Sequence, residues 1–339
     1  MQRILKWLAI AIGGCLALLL VVGAVWEQVE RRQVAAAHPA PGRLVDIGGG
    51  RRIHIDCRGT GSPTVVLETG LDYFGELAWA KVFDRLAEIT RTCAYSRAGI
   101  VWSDDKAGPH DGVGVAHDLH AALAAAGEKG PFVLAGLSLG GPYITIYTGL
   151  YGDQVAGLVY VDGSHPDQDK RFEAAVGEQS GGGMTAVIQK AGGKLSWTGL
   201  PRLVTSGARN GKPRSEMLAK VPPKAREIAF AFFPTSFGAM QAEREGRAAT
   251  FAEAGAYRNL GARPVVVLTH GLPSEPDMPG ADERKWEKAW LELQNDMATW
   301  SSHSTHRVIS DAHHYIQDDD PDAVIAAIRE IVDDVRSSN

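Results

Sequence analysis

The hydrophobic pattern of this chain changes from one continuous apolar run near the N-terminus to short apolar runs further along. Residues 43–49 and 51–59 alternate apolar and polar side chains around a glycine turn, which predicts a β-hairpin. The later runs are uniformly apolar, as the buried strands of a parallel sheet are. These runs occupy residues 64–70, 90–97, 131–138, 155–162, 263–270 and 306–310.

Helical patterns separate most of these runs. From Val115 to Ala126, apolar side chains recur at helical spacing, and Gly127 follows as a stop signal. Because strands and helices alternate, the sequence predicts a mostly parallel sheet with helices on both faces.

The N-terminal apolar run, Leu5 to Trp26, is long enough to cross a bilayer as a helix. Basic residues precede it and no net charge follows it, which predicts a cytoplasmic N-terminus with the remaining chain on the periplasmic or extracellular side. A cleaved signal peptide, with secretion, is the alternative, although such peptides have shorter apolar regions. We therefore expect an anchor over residues 1–26 and a linker over residues 27–42, which Pro39 and Pro41 stiffen.

Composition narrows the class of protein. With 339 residues, 45% of them hydrophobic and 22% charged, the chain can bury the core of one large α/β domain or two small ones. A net charge of -5 without a cluster of Lys or Arg argues against a nucleic-acid partner. The sequence contains no C-x-x-C or H-E-x-x-H pattern, so the cysteines do not indicate a metal site.

One serine lies among glycines where a predicted strand gives way to a helix. Ser138 stands between Gly136 and Gly140 in a G-x-S-x-G pattern, and these glycines leave room for a sharp turn that projects the serine. The backbone N–H of Leu139, at the start of the helix, can stabilise an oxyanion. A glycine-rich strand-to-helix turn without chemistry, as in nucleotide-binding folds, is the alternative.

Several segments in order resemble the α/β-hydrolase family, and the resemblance runs from about Arg43 to Val335. GLSLGG at 136–141 is similar to the family's nucleophile elbow, and YSRAGIVWSD at 95–104 to its YDRAGxGxS stretch. ETGLDYFGELAW at 68–79 looks like the loop after the third strand, and residues 310–328 look like the SGHxI segment with the final helix.

The resemblance implies an α/β-hydrolase fold with an eight-stranded sheet, in which residues 43–164 and 261–339 form the core. About 100 residues separate predicted strands 6 and 7, more than one crossover helix needs, so we expect residues 165–260 to form a helical cap or lid. A second small packing layer is the alternative. Two positions depart from the family: Leu137 stands where many members have His, and Ser96 where they have Asp. Neither departure removes a catalytic group.

A serine hydroxyl needs a base to accept its proton, and His has a suitable pKa. The family's order of nucleophile, acid and His places the base after the last strand. Aligned on the HxI pattern, His314 takes the catalytic position, and the adjacent His313 is the alternative. His165 and His270 lie near predicted strand ends, where either can line the pocket.

The acid of the triad has three candidates. Asp162 directly follows strand 6, one of two places from which this fold supplies the acid, although many relatives have a structural Asp there. Glu275 and Asp277 follow strand 7, but the compact GxxD pattern of many relatives is missing. We prefer Asp162. The second oxyanion donor implied by the family is the backbone N–H of Leu71.

Two cysteines bear on the compartment. In the family's strand order, the strands that carry Cys57 and Cys93 are neighbours, so a disulfide is feasible in an oxidising compartment. Two buried free thiols are the alternative. Cys15 lies within the apolar N-terminal run.

These features together predict a membrane-anchored serine hydrolase that cleaves small carboxylic esters with an apolar acyl or alcohol group, through an acyl-enzyme and without a cofactor. In this fold, dehalogenases and epoxide hydrolases carry Asp in place of the nucleophilic serine, so Ser138 disfavours those activities. Acyl transfer to another acceptor and cofactor-free peroxidase chemistry remain alternatives within the fold. A catalytically silent, hydrolase-like binding module is the alternative outside enzymes.

Overall fold

The predicted strands form an eight-stranded sheet in the computed structural model, which describes residues 2–177, 183–205, 216–273 and 280–338. The strands lie in the order β1-β2-β4-β3-β5-β6-β7-β8. Their bounds are Arg43–Asp46 (β1), Arg52–Arg58 (β2), Thr64–Glu68 (β3), Thr92–Ser96 (β4), Phe132–Leu137 (β5), Val155–Val161 (β6), Gly261–His270 (β7) and Ser301–Ile309 (β8).

The sheet is mostly parallel, as the sequence predicts. β2 is antiparallel to β1 and to β4, which confirms the predicted hairpin, and the other neighbouring pairs are parallel. In the register of β2 with β4, Cys57 lies opposite Cys93, and the two form a disulfide with a Cα–Cα distance of 4.0 Å.

Helices cover both faces of the sheet, and apolar side chains of the central strands are buried on each side because the strands are parallel and doubly covered. The α-helices of the described residues are Gln2–Ala37 (α1), Phe83–Ala87 (α2), Gly112–Ala126 (α3), Gly140–Tyr151 (α4), Gln168–Val176 (α5), Gly183–Lys194 (α6), Leu200–Thr205 (α7), Glu216–Lys220 (α8), Pro223–Ala254 (α9), Gly280–Met297 (α10), Ile316–Asp319 (α11) and Pro321–Ser337 (α12). α3 ends at Gly127 in the left-handed conformation, as predicted.

The N-terminal helix corrects one expectation. α1 does not end near Trp26 but continues through Ala37, so most of the segment predicted as a linker over 27–42 is helical. Residues 27–37 contain neither Gly nor Pro and consist of good helix formers, and Arg31 donates to Glu27 one turn earlier at 2.9 Å. α1 is also long and apolar enough to span a membrane, a property that signal sequences share.

The described residues between β6 and β7 are largely helical. They contain α5 to α9, of which α9 is the longest, and 3-10 turns at Ser196–Thr198 and Gly255–Tyr257. α9 packs against α3, α4 and α6, so this insertion lies on the same side of the molecule as the helix that follows Ser138.

Candidate active site

Ser138 occupies a sharp turn between β5 and α4. Its φ is +52°, a left-handed conformation that side chains rarely adopt. The backbone around it is close-packed, because a Cβ on Gly136 would lie 2.6 Å from the carbonyl oxygen of Gly140. The turn is held by the Ser138 N–H, which donates to the Val161 carbonyl at 3.2 Å, and by the Ser164 N–H, which donates to the Ser138 carbonyl at 2.8 Å.

The two predicted oxyanion donors are the backbone N–H groups of Leu71, in the loop after β3, and of Leu139, which directly follows Ser138. Gly70 touches the elbow, since a Cβ there would lie 2.8 Å from the Ser138 Cβ, and Leu71 follows it. Leu139 begins the turn into α4. In the part of the chain that the structure describes, the backbone N–H groups of Leu71 and Leu139 donate to no other protein group. Both are therefore available to an oxyanion.

Asp162 lies at the carboxyl end of β6, also in the left-handed conformation, with φ +47°. Its backbone N–H donates to the carbonyl of Leu268 in the next strand at 2.8 Å, which fixes the carboxylate at the sheet edge. The Trp290 indole N–H donates to Oδ1 at 2.9 Å, and the carboxylate is buried. Of the three candidate acids, Glu275 and Asp277 lie outside the described residues.

The structure brings His314 to Asp162, with His314 Nδ1 2.5 Å from Asp162 Oδ2. The ring is partly exposed, so its other nitrogen can face a substrate. His313 is directed elsewhere, with its Nδ1 2.9 Å from Asp319 Oδ2. Each histidine thus has a carboxylate at Nδ1, but only His314 of these two contacts Asp162 in the part of the chain that the structure describes.

A second histidine, His270 at the end of β7, shares the same carboxylate. Its Nδ1 lies 2.6 Å from Asp162 Oδ2, its backbone N–H donates to Oδ1 at 3.1 Å, and its Nε2 lies 2.8 Å from Glu287 Oε2 on α10. The rings of Trp286 and Trp290 stack beside it. The sequence places His270 only near a strand end, because the contact with Glu287 depends on how α10 packs.

The charges of Asp162 and His270 depend on each other. Burial disfavours ionisation of Asp162, but the hydrogen bonds from His270 and His314 outweigh it and hold the pKa of that carboxyl well below its usual range. Burial likewise disfavours the charged form of His270, but the hydrogen bonds with Asp162 and Glu287 raise the pKa of His270 to about 9. At neutral pH, Asp162 is thus a carboxylate beside a cationic His270.

Asp162, His270 and His314 offer ligand atoms within 4.8 Å of one another, a spacing that a metal site can have. The contacts of Asp162 Oδ2 with the two imidazole nitrogens are 2.5 and 2.6 Å, however. Ligand atoms at about 2.0–2.2 Å from one zinc ion in tetrahedral geometry lie more than about 3 Å apart. Hydrogen bonds between the imidazole nitrogens and the carboxylate therefore account for these short distances better than a common metal ion does.

Ser138 Oγ and His314 are both within the described residues, and no hydrogen bond joins them. In enzymes without substrate, such bonds are often long and tighten only in the complex. The structure thus assembles the acid and the histidine on one side and the serine elbow with two unused backbone donors on the other.

A buried ion network supports the loop that carries Leu71. The Arg97 guanidinium donates to the carbonyl oxygens of Thr69 at 2.9 Å and Gly70 at 2.6 Å, and it pairs with Glu68 at 2.8 Å and Glu243 at 2.7 Å. Burial raises the pKa of Glu68 to about 7, although Arg97 opposes the rise. Glu243 lies on α9 and carries no sequence signal, because its partner lies 146 residues earlier.

The chain matches known proteins at the level of a family. The model of the alpha/beta hydrolase family matches residues 18–327. An uncharacterized protein of Schizosaccharomyces pombe is 29% identical in an alignment of 160 positions, which covers 39% of this chain and 30% of that protein. This chain therefore spans less than a third of that relative's length in the match.

Solved structures show a similar fold. A thermophilic esterase from Thermogutta terrifontis superposes with a TM-score of 0.61 at 21% identity, covering 86% of this chain and 97% of the esterase. A variant of a provisionally assigned epoxide hydrolase from Pseudomonas aeruginosa superposes with a TM-score of 0.61 at 19% identity, covering 88% and 98% of the two chains. At these identities the likeness concerns the fold. Together with the family model over most of its length, it shows that this chain belongs to the alpha/beta hydrolase family.

Proposed function

We propose that this protein is a serine hydrolase of carboxylic esters, with Ser138, His314 and Asp162 as its triad. The observation that carries the proposal is the pairing of His314 with a buried Asp162 at the end of β6, beside a strained serine elbow with unused backbone donors. Serine, acid and base follow one another along the chain in the order that acyl transfer in this fold uses.

In the proposed reaction, Ser138 Oγ attacks the ester carbonyl while His314 Nε2 accepts its proton. Asp162 orients the imidazole through Nδ1 and stabilises its charged form. The amides of Leu71 and Leu139 hold the oxyanion. His314 then returns the proton to the leaving alcohol, and water activated by the same histidine releases the acid from Ser138.

The helices at 165–260 act as a cap in this proposal, and residues 43–164 and 261–339 as the hydrolase core. Aromatic side chains of α9 approach the oxyanion loop, since the Phe233 and Tyr73 rings lie 4.7 Å apart between centroids. An apolar wall of this kind suits a substrate with an apolar acyl or alcohol group and limits the access of water.

The apolar part of α1 serves as an uncleaved anchor, with the N-terminus in the cytoplasm and the hydrolase domain on the periplasmic or extracellular side. The disulfide between Cys57 and Cys93 suits that oxidising side. A protease-accessibility assay of a C-terminal tag in intact cells tests the orientation, and a protected tag contradicts it.

A fluorophosphonate probe tests the nucleophile. We expect labelling of the full chain, its loss in Ser138→Ala, and unchanged labelling in a matched control, Ser302→Ala, whose serine is exposed on β8. Hydrolysis of p-nitrophenyl esters should fall by about 10⁴-fold or more in Ser138→Ala. Equal labelling of the wild type and Ser138→Ala would refute the assignment.

A catalytically silent binding module is the second candidate, and the missing hydrogen bond between Ser138 and His314 favours it. The two candidates differ in one measurement. A folded wild-type protein that neither reacts with the fluorophosphonate nor hydrolyses any p-nitrophenyl ester, from acetate to palmitate, would support the silent module.

A further inference from the structure

The C-terminal part of α1 is fixed to the helices between β6 and β7. Glu27 accepts hydrogen bonds from Arg202 at 2.7 and 2.9 Å, and both side chains are at most 1% exposed. A buried ion pair of this kind leaves a costly unpaired charge if one partner is removed. The pair thus ties the N-terminal helix to the insertion and argues that the helix is retained.

Close backbone contacts reinforce this attachment. A Cβ on Gly23 would lie 2.3 Å from the Thr198 carbonyl oxygen, and a Cβ on Gly199 would lie 2.8 Å from the Trp26 ring. The approach therefore requires glycine on both sides. The contact begins at Gly23, immediately after the exposed residues 2–22 of α1, which are uniformly apolar from Trp7 onward. At 1.5 Å per residue, residues 5–22 are about 27 Å long, close to the thickness of a bilayer's hydrocarbon core.

Exposed apolar side chains concentrate beside this contact. Outside α1, eight large hydrophobic side chains of the described residues are exposed, and five of them lie within 187–203. Val187 and Ile188 are 61% and 63% exposed, and Trp197 and Leu200 are 49% and 46% exposed. Trp197 immediately precedes Thr198, which lies against Gly23. Trp197 is therefore at the level of the end of the exposed apolar stretch of α1. Tryptophan is enriched at that level of a membrane.

We propose that Val187, Ile188, Trp197 and Leu200 form a membrane-docking face, which lies in the boundary between headgroups and acyl chains of the bilayer that α1 crosses. A bilayer is the occupant because Trp197 and Leu200 flank Thr198 and Gly199, which contact α1 at the end of its exposed apolar stretch. Burying these side chains removes apolar surface from water and holds the helices at 183–205 against the membrane.

The docking face is connected to the candidate active site by aromatic contacts. A Cβ on Gly192 of α6 would lie 3.2 Å from the Phe237 ring, which is 5.4 Å from that of Phe233. Phe233 in turn contacts Tyr73, two residues beyond Leu71. If the proposed ester hydrolysis holds, this connection favours esters whose acyl chain resides in the membrane.

Site-specific fluorescence tests the docking face. The full chain with Cys15→Ser is reconstituted in vesicles of phosphatidylcholine and phosphatidylglycerol, and an environment-sensitive NBD label is attached at Val187→Cys. Val308→Cys is the matched control, because Val308 is 52% exposed on β8, the strand at the far edge of the sheet. We expect a blue shift, and quenching by a lipid-borne shallow quencher, at position 187 but not at 308.

Three outcomes would overturn the docking face. Water-like emission at both positions refutes burial, and equal lipid quenching at both positions refutes the choice of face. A blue shift at 187 without lipid quenching indicates a protein contact instead of a bilayer. Extraction of the protein from vesicles by alkaline carbonate would refute the anchor itself, which is a separate result.

Activity measurements separate docking from catalysis. The double variant Val187→Glu with Ile188→Glu should lose about tenfold or more in the rate on vesicle-borne p-nitrophenyl palmitate and keep its rate on soluble p-nitrophenyl acetate. Equal rates of the double variant and the wild type on both esters would overturn the link between docking and substrate. If the wild type hydrolyses neither ester, the proposed function fails, whereas the fluorescence test of docking still stands.

Discussion

Replacing His270 by Gln removes a positive charge beside the candidate triad and keeps a side chain that can donate to Asp162. In the native protein, the cationic His270 disfavours a second positive charge beside it, because the two imidazoles share one carboxylate oxygen. We therefore expect the acid limb of the kcat/KM profile to move to higher pH in His270→Gln.

The size of the shift follows from the geometry. The ligand atoms of the two rings and the carboxylate lie within 4.8 Å of one another. At about that distance, the interaction of two unit charges in an effective dielectric of about 20 is about 3 kcal/mol. The His314 side chain is partly exposed to solvent, which screens the interaction, so we expect the acid limb of the profile to move by about one pH unit.

The assay is the pH dependence of ester hydrolysis between pH 4 and pH 10, with His165→Gln as the matched control. His165 is also buried and paired, with Asp296 at 2.9 Å, but it does not contact Asp162. An acid limb that stays in place in His270→Gln, or moves equally in His165→Gln, would refute the reasoning.

The pH dependence of the unfolding free energy is a second test of the charge on His270. Because the folded-state pKa of His270 is about 9, above its unfolded value near 6.5, its contribution is fully present below about pH 6.5 and is lost as pH rises through 9. The difference in unfolding free energy between the wild type and His270→Gln should therefore shrink across that window. A difference that stays constant from pH 6 to pH 10 would contradict a charged His270.

Three further predictions concern the elbow, the disulfide and the attachment of α1. Gly70→Ala should lower kcat/KM by about 10²-fold or more, since its Cβ would lie 2.8 Å from the Ser138 Cβ and displace the oxyanion loop; wild-type rates would contradict this. Cys57→Ser should lower the unfolding free energy in denaturant titrations by about 4 kcal/mol, because it opens a loop with a separation of 36 residues; an unchanged midpoint would contradict it. Glu27→Leu should destabilise the protein by about 3 kcal/mol, and adding Arg202→Leu should recover most of that loss; additive losses in thermal unfolding would argue against a coupled pair.

The sequence predicts the sheet well because buried parallel strands are continuous apolar runs. It places the start of β8 too late, at His306, whereas the strand begins at Ser301. β8 is an edge strand whose first residues are polar and mostly exposed, so they lack the apolar pattern that marks the inner strands. The predicted linker fails for a related reason, since α1 continues through polar residues that good helix propensity and an ion pair sustain.

The residues of the candidate site likewise divide into those that a local sequence pattern indicates and those that it does not. Ser138 is predictable because its local turn requires neighbouring glycines, and His314 because a short motif fixes its register. The roles of His270 and Glu243 are not predictable, because each depends on a long-range contact with a helix whose position no local pattern specifies. Tertiary packing, which decides those contacts, leaves no periodic signal in the chain.

Two of the residues with positive φ lie at the ends of neighbouring strands and show how the sheet can hold such a site. Ser138 and Asp162 have positive φ, which costs a non-glycine residue about 1 kcal/mol or more. Each follows directly after a buried parallel strand, and each is held by a bond to the strand beside it: Ser138 N–H to the Val161 carbonyl, and Asp162 N–H to the Leu268 carbonyl. Hydrogen bonds between neighbouring strands, rather than the helices inserted between β6 and β7, therefore hold these two residues in their strained conformations. It follows that a change in those helices can alter which substrate reaches the serine while the elbow and the acid keep their geometry.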